Sequence, residues 1–137
     1  MERRALEHLA KRWLNEAIRD GQVAVFDELL RPNARSESGG QLTHGSEAFK
    51  QRASAVHRAF SEIETTLDQL VVEGNQLAWR WSLTGTHSGA FAGVAATGRR
   101  VTLSGVNFQE LEGDRVAAHW TLADTFGLVE ALRAPAR

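Results

Sequence analysis

The hydrophobic period of this chain changes once, and that change restricts what it can fold into. Up to Phe60 the apolar residues recur at helical spacing, and beyond it they alternate with polar ones. Leu6, Leu9, Ala10, Trp13, Leu14, Ala17 and Ile18 place one apolar stripe on a first helix. Asp20-Gly21 ends it, because glycine takes the left-handed conformation that closes a helix. Val23, Phe26, Leu29 and Leu30 give a short second helix that stops before Pro32. The polar stretch from Asn33 to Leu42 is expected to hold one short strand and a loop. Ser46 can cap a third helix with Glu47 in its first turn, and Phe49, Ala53, Val56 and Phe60 form its buried face.

Ile63, Thr65 and Leu67 then start a strand that runs to about Val72. Gly74-Asn75 offers a tight reversal. Leu77, Trp79, Trp81 and Leu83 alternate with Ala78, Arg80, Ser82 and Thr84, so the large face of this strand points to a core. Thr86 to Arg100 is a long glycine-containing connection. Val101 to Leu111 and Arg115 to Ala123 are strands joined by Glu112-Gly113-Asp114, and Phe126, Val129 and Leu132 suggest a short closing helix. Helices followed by a meander of long strands imply an α+β domain. The N-terminal helices must cover one face of a curved mixed or antiparallel sheet, giving a cone with an apolar interior and an open mouth. A length of 137 residues without repeat or linker fits one such domain, residues 1–137.

The composition excludes several function classes. A net charge of −1 offers no excess positive charge to phosphate backbones, so no nucleic-acid partner is expected. With no cysteine there is no disulfide, thiolate metal site or Cys nucleophile. The start, Met-Glu-Arg-Arg, has no apolar signal-peptide core, and no run approaches ~18 apolar residues. These features predict a soluble cytoplasmic protein without a membrane partner. No His-Glu-x-x-His spacing occurs, and the glycine-rich segment lacks Gly-Lys-Ser/Thr, so neither a metal nor a phosphate-bearing cofactor is expected.

The segment Gly85-Thr86-His87-Ser88-Gly89-Ala90-Phe91-Ala92-Gly93-Val94-Ala95-Ala96-Thr97-Gly98-Arg99-Arg100-Val101 resembles the G-T-H-x-G-x-[FL]-x-G-[IM]-P-P-T-G-[KR]-x-[VF] stretch of SnoaL-like polyketide cyclases. The ending His119-Trp120-Thr121-Leu122-Ala123-Asp124-Thr125-Phe126-Gly127-Leu128 is similar to that family's close. The resemblance extends over nearly the whole chain, and it implies a cone-shaped domain that closes rings by intramolecular aldol chemistry without metal or organic cofactor. It also implies an acid/base aspartate on the last strand, assisted by a histidine and a glutamine on the preceding one. Those three places hold Thr121, Asn107 and Gly105 here. Self-association through the outer sheet face, as a dimer or dimer of dimers, is implied too.

Chemistry must then rest on other groups, or on shape. Asp124 could shuttle a proton from an apolar wall, or could cap the closing helix. His119 shares strand parity with Thr121, so the two can form a polar cluster with Asn107. Asn107 could donate to an enolate oxygen or orient His119. Trp79, Trp81, His87, Phe91 and Thr121 are candidate contacts for a hydrophobic small-molecule substrate. His87 could equally shape the loop, and the tryptophans could simply pack the core. His44 and His57 have no assigned part. Three readings follow: a cyclase for a polyketide-like or polycyclic intermediate with Asp124, His119 and Asn107 as its catalytic groups; an epoxide hydrolase or isomerase, pairing Asp124 with Glu37 for hydrolysis; or a non-catalytic binding domain.

Overall fold

The structure, a computed structural model, describes residues 2–135. Helix α1, Arg3–Arg12, runs without a break into a π-helical segment, Trp13–Arg19. Gly21, at φ +71°, closes it as expected. Helix α2 (Val25–Leu29) leads directly into strand β1 (Leu30–Ser38). The predicted loop after it is a hairpin: β1 turns at Gly39-Gly40, both at positive φ, and returns as β2 (Gln41–His44). Helix α3 (Glu47–Ala59) follows, then β3 (Phe60–Glu73), β4 (Gln76–His87), β5 (Arg100–Glu112), β6 (Arg115–Ala123) and helix α4 (Thr125–Arg133).

The six strands form one sheet in the order β2-β1-β6-β5-β4-β3. β1 lies parallel to β6 and every other pair is antiparallel, so the sheet is mixed. Register shifts interrupt β1/β6, β3/β4 and β5/β6. Such bulges bend strands, and here they curve the sheet around the helices. The shift in β5/β6 matters most for the interior. Leu111 pairs with Val116, but Glu110 pairs with Ala118, which makes Ala117 the extra residue. As a result Val116 and His119, three residues apart, are both buried.

The main core joins the α1 stripe to the large face of β4. The Trp13 ring stands edge-on to Phe26, Phe49 and Trp79 at centroid distances of 5.0, 5.5 and 6.2 Å. A smaller cluster of Phe60, Leu103, Leu128 and Leu132 seats α4. Of the residues that suggested α4, Phe126 is 75% exposed, and the helix buries Leu128 and Leu132. Ser46 sits at the α3 N-cap, yet its hydroxyl donates to Asp27 Oδ1 at 2.7 Å, tying α3 to α2 instead of capping. Among the described residues no helix is long and apolar enough to cross a membrane.

Candidate functional site

A cavity of about 340 Å³ opens between the helices and the concave face of the sheet. The π-helical segment contributes Trp13, Leu14 and Ile18, and α3 contributes Phe49, Arg52, Ala53 and Val56. π-helical turns are uncommon and concentrate at functional sites. The sheet supplies Trp81, Leu83, Leu103, Asn107, His119 and Thr121, and the long connection supplies Phe91. The wall is apolar apart from a few groups, and no Asp or Glu is among the lining residues.

Two tryptophans of β4 fix the polar groups of β5. Trp81 Nε1 donates to Asn107 Oδ1 at 3.2 Å, and Thr121 Oγ1 donates to the same oxygen at 2.7 Å. An indole N–H can only donate, so the accepting atom must be the amide oxygen. The Asn107 Nδ2 donors are left to the cavity. One step along, Trp79 Nε1 donates to Gln109 Oε1 at 3.0 Å, and Gln109 Nε2 lies 3.0 Å from His119 Nδ1. By the same logic the Gln109 amide nitrogen donates and His119 Nδ1 accepts, which puts the imidazole proton on Nε2. His119 stacks on Trp13 at 5.0 Å and meets the Phe49 edge at 5.1 Å. Burial first, and the Arg52 charge second, push its pKa down to about 3. His119 is therefore a neutral hydrogen-bond donor at physiological pH and a poor proton acceptor.

Gly105 explains how Trp81 reaches Asn107. The two face each other across β4 and β5, and a Cβ at Gly105 would collide with the Trp81 indole. The indole thus lies where a side chain at position 105 would stand.

The structure separates the predicted site residues. Asn107, His119, Thr121, Trp81 and Phe91 line the cavity. Trp79 lies beneath the wall, 1% exposed, and acts through Gln109. His87 is fully buried behind the cavity; its Nδ1 accepts from Thr97 N at 3.2 Å, which holds the loop carrying Phe91. Asp124, expected either as a carboxylate on the cavity wall or as the cap of the closing helix, is exposed and caps α4, its Oδ1 accepting from Gly127 N at 2.9 Å. Asp124 lies three residues after Thr121 and one beyond β6, so strand alternation, which brings Thr121 inward, would itself place Asp124 on the opposite side. Glu37 is also exposed and borders a different concavity on the outer sheet face, beside Phe108 and Trp120. Asp124 and Glu37 do not meet as a carboxylate pair. His44 and His57 are both exposed. Among the described residues no cluster of three or more His, Cys, Asp or Glu is placed to hold a metal.

Sequence reasoning missed Gln109 and Arg52. Gln109 shares the parity of Asn107 and pairs with His119, so strand alternation could have found it. Arg52 follows Phe49 by three residues on the helix face already assigned to the interior.

The model of the SnoaL-like polyketide cyclase family matches residues 8–132. The chain belongs to this family. No functionally curated protein matches it. Among solved structures, it is similar to TsrD from Streptomyces laurentii at 27% identity and TM-score 0.87, covering 98% of this chain and 99% of that one. It is also similar to IdmH from Streptomyces antibioticus at 25% identity and TM-score 0.77, over 88% and 94%. A SnoaL-like polyketide cyclase from Agrobacterium tumefaciens, at 17% identity and TM-score 0.70 over 92% and 98%, shares the fold. Thr121, Asn107 and Gly105 hold the places where the resemblance implies catalytic groups. They adjoin one another through Trp81.

Proposed function

We propose that this SnoaL-like protein is a cofactor-free cyclase for a polyketide-like or polycyclic intermediate, acting by stabilising an enolate oxygen. One observation carries the reading: Asn107 and His119, whose Nδ2 and Nε2–H are not engaged by Trp81, Thr121 or Gln109, both line an apolar cavity whose lining has no carboxylate. Donors set in advance around a developing oxyanion are most effective where water is excluded. A neutral imidazole that resists protonation can polarise a ketone without charging, and removing one such donor typically lowers turnover by ~10²–10³. The α-carbon proton passes to water or to a basic group of the substrate. The enolate carbon then attacks a second carbonyl of the same molecule, the C–C bond closes the ring, and the new alkoxide takes up a proton.

The test is turnover of an aromatic polyketide ketone, read as α-proton exchange in D2O by NMR and as ring closure by absorbance. Asn107→Leu should slow both by ~100-fold. Full turnover in both Asn107→Leu and His119→Phe would refute the reading. Tight ligand binding with no exchange in the native protein would leave the cavity a binding site only.

The outer sheet face supports self-association, as a dimer or dimer of dimers. Val71, Phe108, Trp120 and Leu122 are 53%, 54%, 39% and 60% exposed there, and the Phe108 and Trp120 rings pack at 5.6 Å.

A further inference from the structure

We propose that Arg52 makes this cavity selective for a ligand that carries a carboxylate or another anionic oxygen. The inference rests on the cavity being the ligand site, and it adds the charge of the ligand. Four of the nine Lys and Arg side chains on the helices have an acidic neighbour. Lys11 pairs with Glu7, Arg12 with Glu16 and Glu28, Arg19 with Asp20, and Lys50, two residues before Arg52, with Asp27. Arg52 pairs with no carboxylate among the described residues. Its guanidinium lies 4.9 Å from the centre of the Phe49 ring, and its Nη2 makes a long 3.4 Å contact to Ser36 Oγ. Ser36 is fully buried on β1 and stands beside His119 in the parallel register. The side chain is open to solvent along part of its surface, while its charged end reaches inward over buried groups, and desolvation lowers its pKa.

The polar groups of the lining are thus Arg52 on α3, the Asn107 amide and His119 imidazole on β5 and β6, and the hydroxyls of Ser38, Thr121 and Thr125, without an opposing negative charge. A guanidinium offers a planar fork of N–H donors that fits a carboxylate with two parallel bonds. A flat aromatic acid would place its rings between Trp13, Phe49, Trp81 and Phe91 and its acid group on Arg52. Its ketone would remain for Asn107 and His119. The same unpaired cation disfavours positively charged ligands.

Calorimetric binding of anthraquinone-2-carboxylate and of its methyl ester separates charge from shape. The acid should bind at least about tenfold more tightly than the ester, the scale of one charge-assisted hydrogen-bonded pair. Arg52→Gln should abolish that preference while changing ester affinity less than about twofold, and Arg52→Lys should retain part of it. Equal affinities for acid and ester, no measurable binding of the acid, or equal weakening of both probes by Arg52→Gln would overturn the proposal. Arg52-dependent binding of the acid without proton exchange would leave this proposal standing and remove the catalytic one. Exchange that ignores ligand charge would do the reverse.

Discussion

Acidification should destabilise this fold through one imidazole, and the size of the effect can be worked out. In the folded protein burial and Arg52 hold the His119 pKa near about 3, against an ordinary value of 6.5. Above pH 6.5 the ring is neutral in both folded and unfolded chains and contributes no pH dependence. As the pH falls below that value the unfolded chain takes up a proton that the folded chain refuses. Stability must therefore fall with decreasing pH until the folded ring itself titrates. At pH 4.5, two units below the unfolded pKa, the loss from this group is about 3 kcal/mol. The figure is insensitive to the exact folded pKa, because pH 4.5 lies above it. Urea unfolding at pH 7 and pH 4.5 measures the effect, with His119→Gln as the reference. Other titrating groups are common to both proteins, so the native chain should lose about 3 kcal/mol more than the variant over this interval. Nitrogen-15 NMR of the ring should show a neutral imidazole with its proton on Nε2 at pH 4.5. A ring that titrates near 6.5, or the same pH dependence in both proteins, would refute the reasoning.

Two further outcomes test where groups lie rather than how they titrate. Asp124→Ala should lower stability by about 1 kcal/mol in thermal or urea unfolding, through loss of the α4 cap, and Asp124→Asn should restore most of it. Turnover in both should stay within about twofold of native, since the side chain faces away from the cavity; a collapse of turnover at intact stability would contradict this. Trp120→Glu places a charge in the exposed apolar group of the outer face. It should shift the protein to monomer in sedimentation velocity, and an unchanged mass would exclude that face as the contact.

The helices and the β4 alternation could be read from the sequence because each follows from local period alone. The α1 stripe, the Gly21 stop, the Gly74-Asn75 reversal and the buried face of Leu77, Trp79 and Leu83 all lie where the pattern puts them. Features set by pairing between distant strands were less accessible. Nothing local indicates that β1 inserts beside β6 in parallel, whereas the hairpin after it carries a local mark, Gly39-Gly40, that sequence reading passed over. The polar cluster depends on a single residue, Ala117. Had the Leu111–Val116 register continued unbroken, Asn107 would face Trp120. Trp120 and Leu122 would then point inward and His119 and Thr121 outward, because a one-residue slip exchanges the two faces of a strand. Strand parity showed that His119 and Thr121 share a face; only the bulge decides which face that is. Asp124 illustrates the opposite limit. Parity counted from Thr121 already sets it on the far face, and its place before α4 makes it the cap.

The bonding around Asn107 also bears on why Thr121 stands where the resemblance implies an aspartate. The Trp81 indole can only donate, and it holds the Asn107 amide with Oδ1 toward itself. Any group at position 121 that reaches the same oxygen must also donate, and the threonine hydroxyl does so at 2.7 Å. A carboxylate there would set acceptor against acceptor. Turning the amide over would satisfy the carboxylate but leave the half-buried indole N–H facing an NH₂ group, without the acceptor it now has. Trp81 in turn occupies its position because residue 105 has no side chain to block it. Gly105, Trp81, Asn107 and Thr121 are therefore mutually dependent. Replacing Thr121 by aspartate alone would not recreate an acid/base site. The arrangement is consistent with a cavity that works by donating hydrogen bonds, with Asn107 as the amide the other three residues hold in place.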